Sequence, residues 1–240
     1  MFGFRTSVKC AAALLSAALL TSGVTLQAQE KRRPAHETNA NRKARIERII
    51  QDTYSHRYEV AGGGGYLRFR SGQTLQRNNE VTFWMTGTRY FTFNPRLGAV
   101  ADVRGAYGNA KVGNTPFNIP NPQISQYTFM GGPNYRLWSR QKYAISAFAV
   151  GGAALAKSDS GTKGIPASEL HLWQSGWRPV LSVGANFDYN LYPNLAIRIT
   201  PTYLGTFFRL APEDTVQDKG TIQSNLGFNL GIVYRFGRIK

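Results

Sequence analysis

The sequence predicts an all-β chain, an eight-stranded antiparallel transmembrane β-barrel with a short N-terminal periplasmic helix or tail. Three observations predict it. Apolar and polar residues alternate in one segment after another from residue 58 to 237. The connections between these segments alternate long and short, as they do when tight turns face one side of a membrane and free loops the other. An export signal precedes them all.

The chain opens "MFGFRTSVKCAAALLSAALLTSGVTLQAQE". Arg5 and Lys9 form a basic start and residues 10–20 a short apolar run, the order of a secretory signal peptide. Residues 1–28 are assigned to it, with cleavage after Ala28. Cys10, the one cysteine, lies inside the apolar run behind Val8 and Lys9, so neither a lipoprotein anchor nor a disulfide in the mature chain is expected. Residues 29–57 are a basic periplasmic tail. Within it Ile46, Ile49, Ile50 and Tyr54 recur at helical spacing, which predicts a short amphipathic helix over 41–54.

Strands are predicted over 58–69, 80–93, 96–108, 124–138, 142–156, 177–190, 194–208 and 224–236, with 238–240 as a C-terminal tail. After the first strand comes a medium loop. Long loops follow the third, fifth and seventh, at 109–123, 157–176 and 209–223, and short turns follow the second, fourth and sixth. An even strand number with short turns on one side places both termini in the periplasm. The last strand carries Leu226, Phe228, Leu230, Ile232, Tyr234 and Phe236 on one face, with Asn225, Asn229 and Arg235 on the other. Leu181, Val183 and Phe187 oppose Ser182, Asn186 and Asp188 in the same way, and Ile197 and Ile199 oppose Arg198 and Thr200. Charges on the inward face and aliphatics outside suit lipid, because a closed barrel pairs all its backbone polar groups. The first and fifth strands are too rich in Gly and Ala to assign faces. Aromatics near strand ends, among them Tyr58, Tyr107, Tyr135, Trp138, Tyr143, Trp177, Tyr189, Tyr203 and Tyr234, predict interfacial girdles.

These registers turn Asp102, Arg104, Arg136, Asp188, Arg198 and Arg235 into the lumen. The expected arrangement is a polar network that fills the interior, with Arg198 and Arg136 pairing to Asp188. The chain has 29 Lys+Arg against 13 Asp+Glu, a net charge of +16. An exported chain rarely meets nucleic acid, so none is assigned as a partner. Much of the charge falls at the periplasmic end, including Arg45, Arg96, Arg140, Lys142 and Arg238, where anionic lipid or an anionic polymer is the expected contact. No nucleotide, metal or cofactor motif occurs. His171 stands near Glu169 and Ser175 in the outer loop "ELHLWQSGW", which reads as an aromatic loop tip able to meet sugar or surface partners. No catalytic residue is assigned.

The signal peptide, the Gly-rich first strand and the last strand ending "GIVYRFG" resemble the small outer-membrane β-barrel proteins of the OmpA-like barrel superfamily. The likeness covers about residues 58–237. It implies eight antiparallel strands in outer-membrane lipid and insertion by the outer-membrane assembly machinery. That machinery would read Leu230, Ile232, Tyr234 and Phe236 as its signal. Members usually end on the aromatic, whereas "GRIK" follows Phe236 here. The functional expectation is a monomeric, non-enzymatic barrel with a structural or interaction role and a largely side-chain-filled lumen. The alternative is a small porin-like pore or binding barrel for hydrophilic, including anionic, solutes.

Overall fold

A computed structural model describes residues 38–72, 74–113, 119, 121–158, 161–209 and 222–239. The predicted signal peptide and the start of the predicted tail lie outside these residues. Helix α1 spans Asn39–Tyr54, with Thr38 capping its start through its side-chain oxygen and carbonyl. The chain divides at Ala44, and the body Arg45–Lys240 contains the last turns of α1 and the barrel.

The strands are β1 (His56–Arg70), β2 (Arg77–Tyr90), β3 (Leu97–Asn109), β4 (Gln123–Ser139), β5 (Tyr143–Lys157), β6 (Gly176–Tyr192), β7 (Leu195–Thr206) and β8 (Gln223–Arg238). Each pairs antiparallel with the next, and β8 closes on β1. No helix among the described residues is long and apolar enough to cross a membrane; the crossing is made by strands. Short turns at 91–96, 140–142 and 193–194 mark the periplasmic end, which also holds the start of β1 and the end of β8.

Burial alternates residue by residue along β2, β3, β7 and β8. The exposed set is apolar: Val81, Phe83 and Met85 on β2, Ile197 and Ile199 on β7, and Leu226, Phe228, Leu230 and Ile232 on β8. A closed barrel with a continuous apolar exterior is a transmembrane barrel, and its place is the outer membrane. Aromatic girdles bound the apolar belt. Tyr58 stacks on Phe236 at 5.5 Å and Tyr143 meets Tyr189 at 5.4 Å near the periplasmic end; Tyr107 meets Tyr127 at 5.7 Å and Phe129 meets Trp177 at 6.0 Å towards the outer end. Tyr58 and Tyr66 on β1 are eight residues apart, about 20 Å along the barrel axis for a tilted strand.

The Gly run of β1 has a packing reason. Trp84 points inward from β2 and is 5 % exposed. Its indole occupies the side-chain space above Gly231, where an added Cβ would lie 2.8 Å from the ring. At Gly63 an added Cβ would strike the Leu230 carbonyl and the Gly231 Cα, both backbone. The β8–β1 seam therefore closes only with glycine at its centre.

Candidate functional site: the closed lumen

Register brings four charges together near the periplasmic end. Asp188 on β6 stands opposite Arg198 on β7, and Arg235 on β8 stands opposite Glu59 on β1. Arg198 grips Asp188 with two bonds, Nε to Oδ1 at 2.6 Å and Nη2 to Oδ2 at 2.8 Å, and also donates to Glu59. Arg235 donates to Glu59 Oε2 at 3.1 Å, to Asp188 Oδ2 at 2.8 Å and to Asn190 Oδ1 at 2.8 Å. Two cations and two anions make a neutral ring. It spans four consecutive strands and straddles the closing seam.

All six charged residues that the sequence turned inward are 2–7 % exposed. They fall into three groups rather than one. Asp188, Arg198 and Arg235 join the ring. Asp102 and Arg104 form their own bidentate pair at 2.7 and 2.9 Å, with Arg104 also reaching Thr202. Arg136 does not reach Asp188: it lies 4.1 Å from the centre of the Tyr90 ring and 4.7 Å from that of Tyr54.

Tyr54, the last residue of α1, covers the ring from the periplasm. Its hydroxyl donates to the Arg140 carbonyl at 2.8 Å and accepts from Asn190 Nδ2 at 2.8 Å. Burial pushes the phenol above its usual pKa, while the Asn190 bond and the Arg235 and Arg136 charges pull it back. The hydroxyl therefore stays a donor at neutral pH. Bulges at Arg136–Trp138 and Asn190–Tyr192 lie on the rim beside these contacts.

The outer end is closed by apolar packing. Leu170 and Leu172 in the β5–β6 loop are fully buried, and Trp173 nearly so, in one cluster with Leu67, Phe69, Ile124 and Phe208. Phe69 and Phe208 meet edge to face at 6.0 Å. Trp173 donates its ring N–H to the Arg70 carbonyl at 2.6 Å and its backbone N–H to Ser71. Gly72 passes so close to the His171 carbonyl that a Cβ there would collide with it. The stretch read as an aromatic loop tip is thus a plug. Its apolar residues turn inward because a loop over a barrel mouth can bury them there. Ser175 Oγ accepts from the Ser158 backbone N–H at 3.0 Å.

Between these two ends polar side chains of the described residues bond one another across the lumen. Thr82 bonds Asn229 at 2.9 Å, and Thr200 and Ser146 bond Asn186 at 3.0 and 3.1 Å. Internal cavities of ≈ 10 Å³ each lie beside Thr82, Gln126 and Thr128, beside Trp84, Asp102 and Asn186, and beside Glu80, Ser158 and Trp173. Each has room for about one water. Among the described residues no cluster of three His, Cys, Asp or Glu could hold a metal.

Sequence reasoning missed Glu59, Glu80, Tyr54 and the plug. Glu59 lies on the strand whose glycines concealed its register. Glu80, 1 % exposed, sits on the inward face of β2. Two alternating acids with Thr82, Thr86 and Thr88 as companions were the available signal for these faces.

A closed eight-stranded antiparallel barrel with an apolar exterior defines the class: a small outer-membrane β-barrel protein. No protein-family profile matches the chain, and neither does any curated protein. Solved structures do. Neisserial surface protein A is similar over 75 % of this chain and 97 % of its own, at 12 % identity and a TM-score of 0.51. The attachment invasion locus protein Ail of Yersinia pestis is 17 % identical over 76 % of this chain and 99 % of its own, with a TM-score of 0.46. OprG from Pseudomonas aeruginosa is 12 % identical over 76 % of this chain and 98 % of its own, also at 0.46.

Proposed function

We propose that this chain is a non-conducting, non-enzymatic outer-membrane barrel with a structural or interaction role. The observation that carries the reading is the double closure of the lumen: a neutral charge ring beneath Tyr54 at one end and the Trp173 plug at the other. A pore for anionic solutes would need unpaired positive charge along an open path. Arg104, Arg198 and Arg235 are paired to carboxylates, and Arg136 is covered by two tyrosine rings. Conductance in planar bilayers tests the reading, and silence is expected.

The interaction surfaces lie outside the lumen. Leu230, Ile232, Tyr234 and Phe236 are all exposed on the lipid side of β8, the position from which the assembly machinery would read them. At the periplasmic rim Arg57 lies 5.7 Å from the centre of the Tyr58 ring and Arg140 5.8 Å from that of Trp138, so these cations sit at the interfacial girdle. Anionic head groups of the inner leaflet suit them. Replacing Arg57, Arg140, Lys142 and Arg238 by Gln is expected to weaken salt-sensitive association with phosphatidylglycerol vesicles, by about fivefold per charge. Unchanged association at low and high salt would refute this contact.

A further inference from the structure

We propose that Arg68, Arg70 and Arg77 form a phosphate site for the phosphorylated glycolipid of the outer leaflet. The inference goes beyond the structural reading above and rests on the outer end being the one opposite the termini. On β1, Arg68 and Arg70 are exposed and share the lipid-facing side with Tyr58, Val60 and Tyr66. On β2, Arg77 shares the outward side with Asn79 and Val81 and is the register partner of Arg70. Two like charges placed directly opposite each other destabilise a strand pair. An anion between them reverses that sign.

None of the ion pairs among the described residues involves these three arginines. The lumen arginines of the ring, by contrast, each hold carboxylates. The surroundings fit an amphiphile. Leu226 stands opposite Arg68, and Tyr66 with its register partners Val81 and Phe228 lies two residues further down the strand, all exposed and apolar enough for acyl chains. Tyr66 donates to Asn79 Oδ1 at 2.6 Å, which leaves the Asn79 amide N–H groups for a ligand oxygen. Ser224 on β8 is exposed at the same end and bonds the Tyr203 hydroxyl at 2.9 Å. Arg68 and Arg70 stand about 5 and 10 Å above the Tyr66 level, the height of head groups.

The chemistry selects the ligand. A guanidinium fork binds phosphate oxygens bidentately, and three forks on neighbouring strands match a phosphomonoester dianion better than a singly charged phosphodiester. Hydroxyl and amide groups beside them suit the sugar that carries the phosphate. A phosphorylated glycolipid supplies monoester, sugar and acyl chains together.

The test uses the full chain folded in phosphatidylcholine nanodiscs and titrated with bisphosphorylated lipid A. The variant R68Q/R70Q/R77Q is compared after its heat-shifted gel mobility shows a closed barrel. The variant is expected to bind about a hundredfold more weakly, about fivefold per arginine near an anionic surface. Wild type is expected to lose the same affinity for dephosphorylated lipid A. Should the triple variant not close, Arg77→Gln alone carries the comparison, with a loss of about fivefold. Equal binding by variant and wild type, or equal binding of the dephosphorylated lipid, overturns the site. Phosphatidylglycerol binding as tightly as lipid A overturns the choice of glycolipid.

Discussion

Replacing Arg198 by Met is expected to destabilise the barrel by about 3–5 kcal/mol, the effect of leaving a buried charge without its partner. Arg198 is the residue that touches both carboxylates of the ring from β7, and Arg235 then has to serve Glu59 and Asp188 alone. The ring changes from neutral to a net negative charge in a site that is almost fully buried. The expected measurement is a urea unfolding midpoint well below wild type for protein refolded in lipid. The double variant R198M/E59Q restores neutrality and leaves the Arg235–Asp188 pair, so it is expected to recover most of the loss. If R198M alone matched wild type, the ring would be ornamental to stability. If the double variant were worse than R198M, charge imbalance would not be the cause.

The second large effect is expected at Gly63. Gly63→Val places a branched side chain against the Leu230 carbonyl and the Gly231 Cα, and no rotamer relieves a clash with backbone. The β8–β1 seam is the pairing that joins the two ends of the sheet into a closed barrel, so the expected result is loss of the compact, heat-modifiable form on an unheated gel. Gly87→Val is the control. Gly87 is exposed on the lipid side of β2, and a Cβ there meets nothing within 4 Å. That variant is expected to fold as wild type does, because β-branched residues suit an outward strand position. Equal behaviour of the two variants would contradict the seam's need for glycine.

How much could be read before the structure depended on contrast between faces. In β6, β7 and β8 the alternation is sharp, and Asp188, Arg198 and Arg235 could be pointed inward from their neighbours alone. In β1 the run Gly62–Gly65 has no polarity, so Glu59 could not be paired with Arg235. On β2 an inward Trp84 and an outward Arg89 blur the same alternation. Trp84 is inward because Gly231, on β8 with β1 between it and β2, leaves it room, and that is a tertiary fact. The loop "ELHLWQSGW" was misread for a related reason: exposure of a loop is the ordinary expectation, and only the open mouth of a barrel offers it a cavity to fill. Arg136 was assigned to Asp188 by charge; the aromatic rings of Tyr54 and Tyr90 hold it instead, and Tyr54 comes from outside the strand set altogether.

The arginines at the outer rim were equally visible in the letters "LRFRSGQTLQR". Their meaning depends on register. Only when Arg70 stands opposite Arg77, with Arg68 on the same side, does a scattered count of positive residues become one site.

The most direct test of the central claim is single-channel recording of the refolded, heat-modifiable protein in planar bilayers. The double closure predicts no unit conductance, in either polarity, at salt concentrations where an open pore would give clear steps. Reproducible steps of fixed size from the wild-type chain would contradict it and would mean that solutes pass the Tyr54 cover, the charge ring and the Trp173 plug.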